Sequence, residues 1–311
     1  MGYSTWSTRD WTSYSATTAT KSTAEIFTKS TIDTDLNPYK VLVRESRDSD
    51  FNPNSTPIIV GCDVTGSMGM IADHLVRKGI GTFFEELLNR KPITDPHMMV
   101  MGIGDAAYDS SPLQVSQFEA DLTIAKWLEK LYIEHGGGGN RYESYDLPYY
   151  FAANHTSIDS WEKRFKKGYI FTIGDEEAPP KTFAKQVEKF IGDEMTQDMP
   201  FADTLAQAQK MYHCYHIIIA QGSHARSYPD QVKSSWRAVM GQNAIWLEDY
   251  NNLSEVIVST IQLNEGADKA EVLKSWSGAT GMVVSRALDG VGTGEMTIHP
   301  TVTTGRGVKR I

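Results

Sequence analysis

Pro57-Ile58-Ile59-Val60-Gly61-Cys62-Asp63-Val64-Thr65-Gly66-Ser67-Met68 is the stretch of sequence that decides the fold. It opens on a short unbroken apolar run, the mark of a strand buried on both faces. A carboxylate ends that run, and hydroxyl side chains follow at alternate positions. Residues 68–90 then place Ile71, Leu75, Val76, Ile80, Phe83, Phe84, Leu87 and Leu88 at helical spacing on one face. A buried strand, a polar loop and an amphipathic helix make half of a βαβ unit.

Working outward, the same alternation repeats. Strands are predicted at His97 to Ile103, Tyr169 to Ile173, Tyr212 to Ala220 and Ala244 to Leu247, with an edge strand at Leu113 to Phe118. Helices are predicted at Thr123 to Ile133, after the glycine run to about residue 153, and at Lys181 to Ile191, Pro229 to Met240 and Leu253 to Leu263. Short strands alternating with helices predict a three-layer α/β/α sandwich around a mostly parallel sheet with one antiparallel edge strand. The expected organisation is an N-terminal Ser/Thr-rich arm over 1–56, the α/β domain over 57–265, and a tail over 266–311. The tail holds one short helix (Lys269 to Trp276) and an irregular Val302 to Gly307.

In the arm, Ser22 and Glu25 have capping-box spacing, which predicts a short helix packed by Trp6, Trp11 and Phe27. The charged stretch Arg44 to Asp50 reads either as a solvated arm or as a strap pinned by Arg–carboxylate pairs. Lys163, Arg164, Lys166 and Lys167, the densest basic run, read as a solvated segment before a strand.

Parallel sheets bind ligands at the carboxyl ends of their strands, and there the sequence repeats itself. Three predicted strands end in an aspartate: Gly61-Cys62-Asp63, Ile103-Gly104-Asp105 and Ile173-Gly174-Asp175. Parallel strands put these carboxylates on one rim, where they repel unless a cation joins them or protons do. Asp63, Thr65 and Ser67 alternate through the loop, so their oxygens can face one point. Oxygen donors without sulfur or imidazole select Mg²⁺, Mn²⁺ or Ca²⁺ over zinc.

Asp63-x-Thr65-x-Ser67 after an apolar strand resembles the metal-ion-dependent adhesion site of von Willebrand factor A domains, with Thr65 where Ser is commoner. Phe171-Thr172-Ile173-Gly174-Asp175-Glu176 looks like that family's later strand, ending in the site's acidic member. The resemblance spans residues 57 to 263 and implies a metal-dependent protein-interaction module whose ion completes its shell with a partner's acidic residue. A MoxR-type AAA+ ATPase, which such a module would serve as adaptor, or components of a phage particle are partners of the kind it implies. The family's middle-loop Thr is missing: Gly136 to Gly139 run into Asn140-Arg141-Tyr142-Glu143-Ser144. Asn140 could offer a carbonyl oxygen, and Glu143 or Ser144 could reach the ion; alternatively the glycines only turn the chain and Glu143 caps a helix. A Glu ligand would make the site more anionic and less receptive to an outside carboxylate.

Other classes are disfavoured. A net charge of −9 argues against general nucleic-acid binding. A phosphotransferase with an aspartate nucleophile needs an acid two residues on, where Thr65 stands. No Gly-Lys-Ser/Thr follows the glycine run, so no phosphate loop is expected. His213-Cys214-Tyr215-His216 is no metal cluster on a strand, because its histidines fall on opposite faces. Cys62 and Cys214 lie in apolar runs and are expected as buried free thiols. With no secretory leader and no apolar run of about 18 residues, the expected location is the cell that makes the chain, cytoplasmic or within a particle assembled there.

Overall fold

A six-stranded sheet in the order β10-β9-β6-β2-β3-β4 organises the chain; the computed structural model describes residues 4–134 and 139–292, apart from the Ser67 side chain. In chain order, helices α1 (Thr8–Thr18) and α2 (Thr23–Ile26) and strand β1 (Arg44–Ser46) come first. Strand β2 (Thr56–Asp63) leads through a 3-10 turn into α3 (Gly69–His74), a π turn (Leu75–Gly79) and α4 (Ile80–Arg90). Next stand β3 (Pro96–Ile103), β4 (Leu113–Val115), α5 (Thr123–Glu129), α6 (Asp146–Asn154), β5 (Thr156–Ile158), α7 (Asp159–Arg164) and β6 (Gly168–Gly174). Then come β7 (Lys181–Thr182), α8 (Ala184–Phe190), β8 (Met199–Pro200), α9 (Phe201–Ala208) and β9 (Tyr212–Ile219). The rest is α10 (Ser223–Ser227), α11 (Pro229–Met240), β10 (Ala244–Leu247), α12 (Leu253–Asn264), α13 (Lys269–Lys274) and α14 (Gly278–Ala287).

Strands β10, β9, β6, β2 and β3 run parallel, and β4 closes the β3 edge antiparallel. This is the expected mostly parallel sandwich with one antiparallel edge strand. Every residue of β2 and β6 is buried, because helices cover both faces. One face packs Ile58, Val60 and Phe171 against α3, α4 and α12. The other packs Ile59, Ile170, Cys214 and Ile218 against α6, α9 and α11. Each such aliphatic side chain contributes about 1.5–3 kcal/mol on burial. Both cysteines are buried free thiols. On β9, Tyr215 belongs to the first face and Cys214 to the second, so His213 and His216 are separated by the sheet. His216 stacks on Trp236 at 3.4 Å instead.

The long helix after β2 holds Ile71, Val76, Ile80, Phe83 and Phe84 in the core, but Leu88 is 42% exposed and leaves the expected stripe. The N-terminal segment packs on this helix. Trp11 lies over Gly81, where a Cβ would stand 2.0 Å from the indole Nε1, and Trp6 stacks on Phe84 at 4.4 Å. The capping box at α2 is present as predicted, with Ser22 and Glu25 each bonded to the other's backbone amide.

Of the two readings of Arg44 to Asp50, the strap holds. Strand β1 pairs parallel with β5, and the Arg47 guanidinium reaches Asp159 at 2.9 Å and Glu162 at 2.8 Å. Asp48 in turn binds Arg164 at 2.6 Å and Lys163 at 3.3 Å. The basic run is therefore not simply solvated: the strap's acid needs those cations. Two predicted helices are also redrawn. The Lys181 to Ile191 helix begins on Ala184, its first residues forming β7 against β8. Thr123 to Ile133 stops being helical after Glu129. Helices α1, α7, α9, α10 and α14 had no counterpart in the predicted elements. Val302 to Gly307 and Gly136 to Gly138 lie outside the described residues. No helix among the described residues is long and apolar enough to cross a membrane.

Candidate metal centre

Parallel register decides which residues meet at the rim. Asp63 stands level with Ile103 of β3, and Cys62 with Ile173 of β6. Asp105 and Asp175 each follow those isoleucines by two residues, so all three aspartates emerge on the same carboxyl edge. Their backbones carry them inward: Asp63 and Asp105 are each 1% exposed and Asp175 is 4% exposed.

The loop after β2 folds back on its own carboxylate. Asp63 Oδ1 accepts from the Thr65 amide and from Thr65 Oγ1, both at 2.8 Å. Gly66 takes a positive φ of 42°, which glycine adopts without strain. Thr65 Oγ1 also lies 3.1 Å from Glu143 Oε1. A hydroxyl has one proton and cannot donate it to both carboxylates. The second contact therefore needs a proton on Glu143 or a cation shared by the oxygens. The side chain of Ser67 falls outside the described residues.

Glu143 is 3% exposed, and its Oε2 has no hydrogen-bond partner. It does not cap the following helix, since α6 has no side-chain cap. Burial first, then the charges of Asp63, Glu176, Asp109 and Asp105, push its carboxyl up. Asp63 is pushed up by burial and by Asp175, against the pull of the Thr65 and Tyr145 hydrogen bonds. Glu176 rises to about 8 through burial and then Asp63, Asp175 and Asp105. Burial also raises Asp105 and Asp175.

The remaining residues sort by what they touch. Asn140 donates to the Asp105 carboxylate, beside the Asp63 cluster. Ser144 does not reach it: Ser144 Oγ accepts from the Ala106 amide at 2.9 Å and its own amide bonds Gly104 O at 3.0 Å, which ties the Glu143 loop to the end of β3. Asp175 Oδ2 accepts from the His224 amide at 2.8 Å at the start of α10. That contact needs Gly222, whose Cβ would stand 2.2 Å from Asp175 Cβ. One Asp175 oxygen is thus engaged by α10, and the carboxylate also acts on Asp63 through its charge.

Two residues at the site had no role in the sequence reading. Tyr145, fully buried, donates from its hydroxyl to Asp63 Oδ2 at 3.2 Å. It fits only because residue 174 is glycine, where a Cβ would sit 1.9 Å from that hydroxyl. Glu176 follows Asp175, and its Oε2 is buried without a hydrogen-bond partner. The triple acid of Asp175-Glu176-Glu177 was the available signal.

Orphaned oxygens on Asp105, Glu143 and Glu176, together with the Asp63 and Thr65 oxygens, fit a hard cation. Among the described residues no three His, Cys, Asp or Glu side chains already converge at ligand spacing. The donor set is mixed, one carboxylate with hydroxyls nearest it and further acids around. Hard divalent ions accept such sets by keeping part of their water.

No family model matches the chain, and no curated protein matches it. Among solved structures it is similar to the open conformation of the pilus adhesin SpaC from Lactobacillus rhamnosus GG, at 9% identity and TM-score 0.41 over 70% of this chain and 31% of that one. It is also similar to a von Willebrand factor type A structure from Catenulispora acidiphila, at 13% identity and TM-score 0.36 over 68% of this chain and 43% of that one. The chain spans less than half the length of either structure.

Proposed function

We propose that this chain is a divalent-cation-dependent protein-interaction module of the von Willebrand factor A type, which binds a partner and catalyses nothing. Asp63, Thr65, Ser67, Glu143 and Asp175 would hold Mg²⁺, Mn²⁺ or Ca²⁺, with Asn140 and Asp105 at the edge. The observation that carries this reading is the set of buried carboxylate oxygens without hydrogen-bond partners at one strand edge, on Asp105, Glu143 and Glu176. When bound, the ion supplies the positive charge that lets neighbouring buried acids ionise together. The chain's residues do the rest: Tyr145 and Thr65 orient Asp63, and Ser144 holds the Glu143 loop against β3.

The test is calorimetric titration of Mg²⁺, Mn²⁺ and Ca²⁺ into the wild type and Asp63→Ala. Binding heat is expected in the wild type and not in the variant; equal heats end the assignment. A pull-down with and without chelator then separates an adaptor, such as one serving a MoxR-type AAA+ ATPase, from a subunit of a particle with a vestigial site. The adaptor loses its partner when Asp63 and Ser67 become Ala, whereas the subunit still assembles.

A further inference from the structure

The candidate site carries more negative charge than one divalent ion answers. Asp63, Asp105, Asp175 and Glu176 act on one another across the rim, and Glu143 feels Asp63, Glu176 and Asp105. Asp105 and Glu143, 1% and 3% exposed, each keep an oxygen without a hydrogen-bond partner. Among the described residues no Lys or Arg forms an ion pair with any of these carboxylates. Arg141 instead stands 3.8 Å from Glu177, and the His224 ring lies 3.8 Å from the same carboxylate. One divalent ion would balance two of those five carboxylates.

That surplus decides what can arrive from outside. An incoming carboxylate would add charge of the same sign and would find Glu143 already seated 3.1 Å from Thr65 Oγ1. An incoming cation meets complementary charge. Two exposed aromatic rings belong to the same rim. Tyr108, 63% exposed, follows Asp105 in a turn closed by the bond from the Tyr108 amide to Asp105 O. Tyr228, 44% exposed, ends the short helix that begins against Asp175. Arg141, with a side chain 67% exposed, already lies 5.8 Å from the Tyr228 ring centre and 3.8 Å from Glu177. It shows how a guanidinium is received here, over a tyrosine face and beside a carboxylate.

We propose that this face docks a basic segment of another protein. Its Lys or Arg side chains would lie against Tyr228 and Tyr108 and be neutralised by the part-exposed Glu176 and Glu177, in the field of the buried acids behind them, while the chain's own Glu143 takes the place of a partner's acid beside the metal. The inference rests on the metal-module reading above and names the chemistry of its partner.

Fluorescence anisotropy in millimolar Mg²⁺ tests it with three labelled peptides: a Gly-Lys-Gly-Arg repeat, a neutral Gly-Gln-Gly-Asn repeat and an acidic Gly-Asp-Gly-Glu repeat. The basic peptide should bind roughly tenfold tighter than the neutral one, a difference of about 1.4 kcal/mol, and weaken with added salt. Tyr228→Ala and Glu176→Gln should each lower that affinity severalfold, and Arg141→Ala, which uncovers the ring, should raise it. Glu188→Gln on the exposed side of α8 should change nothing, which separates this face from attraction to the chain's overall charge. Preference for the acidic peptide, or basic binding untouched by Tyr228→Ala and Glu176→Gln, overturns the proposal. The calorimetric titration is read apart from it. Metal binding without basic preference overturns the partner class alone. A protein that takes no metal yet selects the basic peptide through Tyr228 and Glu176 supports the face and overturns only the metal reading.

Discussion

Replacing Glu176 by Gln should make this protein more stable at neutral pH, against the usual direction for a buried polar residue. The wild-type carboxyl sits at about 8 in the folded chain against an ordinary 4.5, raised by burial and then by Asp63, Asp175 and Asp105. A carboxyl raised on folding makes the folded state hold a proton that the unfolded chain has released. Stability therefore falls as pH rises from 4.5 to about 8. At pH 7 the penalty spans some two and a half pH units, about 3 kcal/mol. Glu176 is part-exposed, and solvent screening trims this to about 2 kcal/mol. Gln carries no charge and escapes it. In chelator, the variant's urea midpoint should exceed the wild type's by roughly 0.7 M at pH 7, for an m-value of about 3 kcal/mol/M. The advantage should grow toward pH 8 and vanish near pH 4.5. Saturating Mg²⁺ should narrow it, since ligand at a hundredfold over Kd adds about 2.7 kcal/mol to the wild type while neutralising the same repulsion. Tryptophan fluorescence across urea at several pH values reads all of this. A variant less stable than wild type at pH 8 in chelator, or an equal advantage at pH 5 and pH 8, would refute the reasoning.

Gly174→Ala places a methyl 1.9 Å from the Tyr145 hydroxyl, so the ring must leave Asp63. Overpacking here should cost about 1–3 kcal/mol and weaken Mg²⁺ binding in the calorimeter; unchanged metal affinity would show that Tyr145 does not orient the site. Arg47→Ala strips Asp159, whose side chain is 4% exposed, of one cation while leaving it Lys163 at 2.6 Å. The cost should be about 1–2 kcal/mol, and proteolysis within residues 37–56 should speed up; cleavage at the wild-type rate would mean that β1 pairing alone holds the strap.

The sheet was legible because its strands announce themselves locally. Pro57 to Cys62 is an unbroken apolar run of strand length and Tyr169 to Ile173 is interrupted only by Thr172, because burial on both faces leaves little room for polar alternation. The three rim aspartates were legible for the same reason, since parallel pairing follows from the alternation with helices. What stayed hidden depends on distant partners. Helix α1 reads as a polar Ser/Thr segment because it buries only Trp11 and Thr18, and the surface that receives Trp11 is a missing side chain at Gly81. The strap was the alternative to a solvated arm, and only Asp159, Glu162 and Arg164, more than a hundred residues away, decide between them. Tyr145 was invisible because its place is made by the absent Cβ of Gly174. Ser144 was given a reach toward the ion that its bond to Ala106 denies it.

Burial is what links these parts. Tyr145 seals Asp63 from below, backed by the His216 and Trp236 rings at 5.0 and 5.5 Å. His216 stays neutral there, its basicity pulled well below the ordinary value by burial, so it offers the carboxylates no counter-charge. The aromatic floor thus withholds water and cations together, and Thr65 has one proton for two acids. Under the proposed metal binding, part of the free energy by which this seal penalises the acids would be returned when a cation enters, because the ion's charge offsets their mutual repulsion. Affinity for the ion and instability of the metal-free rim would therefore rise and fall together. A substitution that opens the floor to water, such as Trp236→Ala, should lower both the destabilisation of the metal-free rim and its hold on the ion.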